Sequence, residues 1–146
     1  GVDGHDGGTN YGAARGGVGG LRTPLKAGGA RHGITVNTIA PVALTRMTEG
    51  LPLARLLSEA SPERVSAGVA WLASEACTDS GLILAAGAGY FSTVRIVEGP
   101  GLHAPLDDVS PEYVAAHWAE IAAAEGARPF DSAGDALLGA FGPPSD

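Results

Sequence analysis

"NYGAARGGVGGL" (residues 10–21), followed by "ITVNTIAPVALTRMTEG" (residues 34–50), is the stretch that decides the fold. From Asn10 to about Arg31 the chain reads as a helix, with Thr9 or Asn10 as its cap. It is a poor helix. Gly16, Gly17, Gly19, Gly20, Gly28 and Gly29 each cost about 1 kcal/mol relative to Ala, and Pro24 costs about 3 kcal/mol. A kink or break is expected near Thr23. Ile34–Ala40 is rich in β-branched residues and reads as a strand ended by Pro41.

Outward from this stretch the signals alternate. Residues 1–10, "GVDGHDGGTN", form a Gly- and Asp-rich loop. Residues 41–60 read as a connection with a short helix. "SPERVSAGVAWLASEAC" (61–77) is a helix, with Ser61 at the cap, Pro62 at the first position and Val65, Val69 and Leu72 at helical spacing. "GLILAAGAGYFSTVRIVEG" (81–99) reads as one or two strands bent around Gly87 and Gly89. Ser110-Pro111-Glu112 starts another helix to about Ala124, and a last short helix runs from Ser132 to Phe141. Helix, strand, helix, strand in that order predicts a βαβ unit in a parallel sheet.

Composition bounds the function. The 146 residues suit one domain able to bury about two-thirds of its unfolded surface. Apolar residues make up 45% and aromatics only 5%, so the core must be built of Ala, Val, Leu and Ile. A net charge of −7 argues against a nucleic-acid surface. The single Cys77 excludes an internal disulfide and a multi-cysteine metal site. No apolar run is long enough to span a bilayer, and no charged segment followed by an apolar run opens the chain. A cytoplasmic protein is the expectation.

The asparagine–tyrosine pair opening a long helix, the strand read as Val-Asn-x-Ile-x-Pro and the segments that follow resemble the second half of a short-chain dehydrogenase/reductase. The resemblance is closest to the R-specific hydroxyacyl-CoA dehydrogenase part of peroxisomal multifunctional enzymes and their bacterial relatives. "GLHAPLDDVSPEYVAAHWAEIAAAEGARPF" (101–130) is similar to the C-terminal extension of that subgroup. The implied fold class is α/β, a partial Rossmann-like fold lacking the dinucleotide-binding N-terminal half. It forms a single domain over 1–146, with a core remnant at 1–99 and a helical extension at 100–146.

The resemblance also assigns roles. The family tyrosine acts as general acid/base on the substrate carbonyl or hydroxyl, and falls on Tyr11. The family pattern is Asn-Tyr-x-x-x-Lys; here Arg15 stands at the lysine's place. A phenol of pKa near 10 needs a neighbouring positive charge to work at neutral pH. Arg15, one turn away on the same face, supplies the charge. Its planar fork places donors differently from the ammonium that also holds the cofactor's ribose. The alternative is a Tyr–Arg pair that only packs at a helix start. Asp3 and His5, with Asp6 nearby, would line the substrate cleft of the family fold, and an Asp–His pair can shuttle protons near neutral pH. The alternative there is a solvated loop. His103 and His117 are isolated and read as surface or packing residues. His32 reads as a helix C-terminal partner. No spacing resembles a metal site. Asn37 on the strand and Val42, Leu44, Thr45 and Met47 after it would border the substrate pocket. In the family Thr45 meets the nicotinamide carboxamide. Residues 42–57 would form an apolar lid.

The family's Gly-x-x-x-Gly-x-Gly turn, which receives the pyrophosphate of NAD(P), belongs ahead of Gly1, as does its catalytic serine. "RGGVGG" (15–20) and "GAGY" (87–90) are poor substitutes, because the first lies inside a helix and the second is not followed by one. Three functions compete. The first is a cofactor-independent, non-redox step on a hydrophobic acyl or polyketide-like substrate: cyclisation, isomerisation or dehydration in bacterial secondary metabolism. The second is half of an NAD(P)-dependent oxidoreductase acting on hydroxyacyl or ketoacyl substrates. The third is a non-catalytic binding or scaffold module. The missing turn and the arginine favour the first; the C-terminal resemblance favours the second. The expected partners are a hydrophobic small molecule and a second copy in a homodimer, with neither nucleic acid nor membrane.

Overall fold

The computed structural model describes residues 8–46, 48 and 58–141. Its elements are α1 (Thr9–Ala30), β1 (Thr38–Pro41), α2 (Pro62–Leu72), β2 (Ile83–Gly87) and β3 (Tyr90–Val94), then a 3-10 turn (Leu106–Asp108), α3 (Pro111–Ala116), α4 (Trp118–Ile121) and α5 (Ala133–Phe141). The architecture is mixed α/β. The chain divides into two compact units, Gly1–Val94 and Arg95–Asp146.

The first unit holds a sheet of order β1-β2-β3. β1 and β2 are parallel, with Thr38 opposite Ile83 and Pro41 opposite Ala86. Parallel neighbours need a crossover, and α2 lies within it. β2 and β3 are antiparallel, with Gly87 opposite Tyr90, so Ala88-Gly89 is a two-residue turn. Both turn residues have positive φ, 49° and 83°, which is the type I′ geometry that matches strand twist. The stretch expected as one or two bent strands is therefore a hairpin. Val65 and Gly68 of α2 are buried, as are Ile83 and Ala86 of β2, Ala60 and Cys77. A methyl group on Gly68 would sit 3.0 Å from Leu84 and 3.1 Å from Phe91, so its absence lets α2 approach the sheet closely.

The end of α2 differs from expectation. The helix stops at Leu72 and does not continue to Cys77. The Ser74 N–H and hydroxyl both donate to the Trp71 carbonyl, which tightens the last turn and ends the ladder. At its start, Ser61 is the cap residue and Pro62 begins the helix, but Ser61 accepts no backbone N–H. The Glu63 carboxyl is held below its ordinary range by its own backbone N–H first, and by the Ser61 hydroxyl second.

α1 also departs from expectation. Its cap is Gly8, not Thr9 or Asn10. The Asn10 side chain instead accepts the Tyr11 N–H at 2.9 Å, which satisfies one of the donors a helix start leaves open. The helix is not broken near Thr23; it runs through Pro24 over 22 residues. A proline removes one ladder bond and crowds one carbonyl, which a helix can absorb by bending. None of its residues is buried. Its far end is turned back by Ile34, whose N–H donates to the Gly29 carbonyl at 3.1 Å.

In the second unit Ser110 caps α3, its Oγ accepting the Tyr113 N–H at 3.1 Å. The single helix expected to Ala124 is split at His117. The His117 ring stacks on Tyr113 with centroids 4.0 Å apart, and its Nδ1 bonds the Tyr113 carbonyl at 2.8 Å. The imidazole thereby competes for a carbonyl that the helix ladder also uses. Glu98 and Arg128 exchange backbone bonds in an isolated bridge. Ser132 accepts the Asp135 N–H at 3.0 Å at the start of α5. No helix among the described residues is long and apolar enough to cross a membrane.

Candidate functional site

Tyr11 sits in the first turn of α1 and is half exposed. The i+4 spacing brings Arg15 to it, and the guanidinium lies over the ring, 5.1 Å from its centroid. The charge thus faces the π-system, a contact worth about 0.5–1 kcal/mol at an exposed site. The phenol hydroxyl is a hydrogen-bond donor and acceptor at the head of α1, with a positive charge over its ring. Asp3, His5 and Met47 lie outside the described residues.

The turn after β1 carries the next candidates. Val42 continues the ladder, its N–H donating to the Ala86 carbonyl at 2.8 Å. Gly87 is pressed against it: a Cβ there would stand 2.6 Å from the Val42 carbonyl oxygen. The Leu44 N–H donates to the Ala60 carbonyl at 2.6 Å. The Thr45 N–H donates to Thr48 Oγ1 at 2.7 Å, and the same hydroxyl reaches the Ala43 carbonyl at 3.0 Å. Thr48 therefore shapes the turn that presents Thr45. Sequence reading missed this role, although a threonine three residues after another is a known turn former.

Asn37 acts as a structural tie. Its amide nitrogen donates to the Asp79 carbonyl and its oxygen accepts the Leu82 N–H, both at 3.0 Å. Together with the Val36 N–H donated to Ser80 Oγ, these bonds fasten the chain before β1 to the chain before β2. Asn37 also lines an open cavity of about 270 Å³ with Thr35, Ile39, Val69, Leu72 and Ala73. The cavity lies at the amino end of β1. The turn with Val42, Leu44 and Thr45 leaves the strand's other end, and an extended chain places Asn37 and Val42 roughly 16 Å apart.

Neither glycine stretch is a phosphate turn. "RGGVGG" lies inside α1, and "GAGY" joins two antiparallel strands, whereas a dinucleotide turn joins a strand to a helix. Neither stretch therefore has the geometry that receives the phosphates of a nicotinamide nucleotide. Among the described residues no group of three or more His, Cys, Asp or Glu could hold a metal ion.

No family model matches the chain. It is 38% identical over 128 residues to a short-chain type dehydrogenase/reductase of Mycobacterium tuberculosis, covering 88% of this chain and 44% of that protein. It is 37% identical to the peroxisomal multifunctional enzyme type 2 of Drosophila melanogaster over 83% of this chain and 21% of that enzyme. The solved structure of the full-length Drosophila enzyme superposes with a TM-score of 0.75 at 31% identity, over 87% of this chain and 23% of that one. A short chain dehydrogenase from Mycobacterium avium superposes with a TM-score of 0.58 at 29% identity, over 82% of this chain and 38% of that one. The chain spans less than half the length of each of these proteins.

Proposed function

We propose, from the premise that the chain corresponds to part of a short-chain dehydrogenase/reductase-type protein, that it forms the tyrosine side of an NAD(P)-dependent oxidoreductase site for hydroxyacyl or ketoacyl substrates. The observation that carries this reading is the Tyr11–Arg15 pair at the head of α1, in a chain 38% identical to a dehydrogenase/reductase. When bound, the nicotinamide would carry hydride to or from the substrate carbon, its phosphates received by sequence outside these 146 residues. This chain's own part is the proton. In the reducing direction Tyr11 hands its phenol proton to the carbonyl oxygen, and Arg15 steadies the phenolate that remains. Thr45, held by Thr48, presents a polar group beside the turn, and Val42 and Leu44 suit an acyl chain.

The cofactor-independent step expected from the sequence gains no support from the site, since Asp3 and His5, which would share its proton work, are not among the described residues. The test is reduction of a 3-ketoacyl thioester by the complete protein, in wild-type form and as Tyr11→Phe. Loss of turnover with retained nucleotide binding supports the reading. Undiminished turnover in the variant removes it, as does turnover with no nicotinamide nucleotide present.

A further inference from the structure

We draw no further inference here: the strongest candidate, the Thr48 hydroxyl that takes the Thr45 N–H and reaches the Ala43 carbonyl in the turn after β1, belongs to the site already described.

Discussion

The guanidinium of Arg15 lies over the ring of Tyr11, one helical turn away along α1, and among the described residues no carboxylate pairs with it. The two residues can therefore be separated by mutation. Tyr11→Phe keeps the ring and the cation–π contact and removes only the hydroxyl. Stability in urea should change by less than about 0.5 kcal/mol, while carbonyl reduction by the complete protein should fall at least about 100-fold. Arg15→Ala should cost about 0.5–1 kcal/mol in the same urea titration.

Asn37 is expected to matter more for folding than for substrate. Asn37→Leu removes the bonds to the Asp79 carbonyl and the Leu82 N–H. At about 0.5–1.5 kcal/mol for each bond, the loss should reach about 1–3 kcal/mol by chemical denaturation. Kinetic constants of the complete protein should hold at temperatures where it stays folded. A large loss of turnover with unchanged stability would return Asn37 to the substrate pocket.

Ala88 carries a φ of 49° at the first position of the hairpin turn, where a Cβ is unwelcome. Ala88→Gly or Ala88→Asn should raise the melting midpoint, by a stabilisation of about 0.5–1 kcal/mol. Ala88→Val should lower it. Differential scanning calorimetry of the three variants checks the order.

Glu63 gives a pH prediction. Its carboxyl pKa is lowered in the folded chain by its backbone N–H and by the Ser61 hydroxyl. The contribution is present above the unfolded-state pKa and is lost as pH falls through the folded-state value. Ser61→Ala should move the Glu63 midpoint upward in an NMR titration, because one of the two donors is gone. A midpoint that does not move would show that the backbone N–H acts alone.

The fold was largely legible where short-range chemistry and tertiary packing agree. Ser61-Pro62 and Ser110-Pro111 mark helix starts that the structure bears out. The β-branched run before Pro41 marks a strand, though only Thr38–Pro41 pair with β2. Val36 and Asn37 bond Ser80, Asp79, Gly81 and Leu82 outside the ladder. The split at His117 was not legible, because it depends on an imidazole reaching a carbonyl one turn back. The continuity of α1 through Pro24 was missed because propensity alone was weighed. At the site, spacing was enough to bring Arg15 to Tyr11. It did not show that the cation would lie over the ring, or that Thr48 would shape the turn around Thr45.

The uneven distribution of buried residues has a consequence for motion. Among the described residues every buried one lies in the first unit, between Ala60 and Ala86, and none lies on α1. Local opening follows packing, so backbone hydrogens of Leu84 and Ala86 should exchange with solvent more slowly than those of Val18 or Leu21. The helix that carries Tyr11 would then open independently of the sheet, and anything that covered that helix would also set how still the phenol is held.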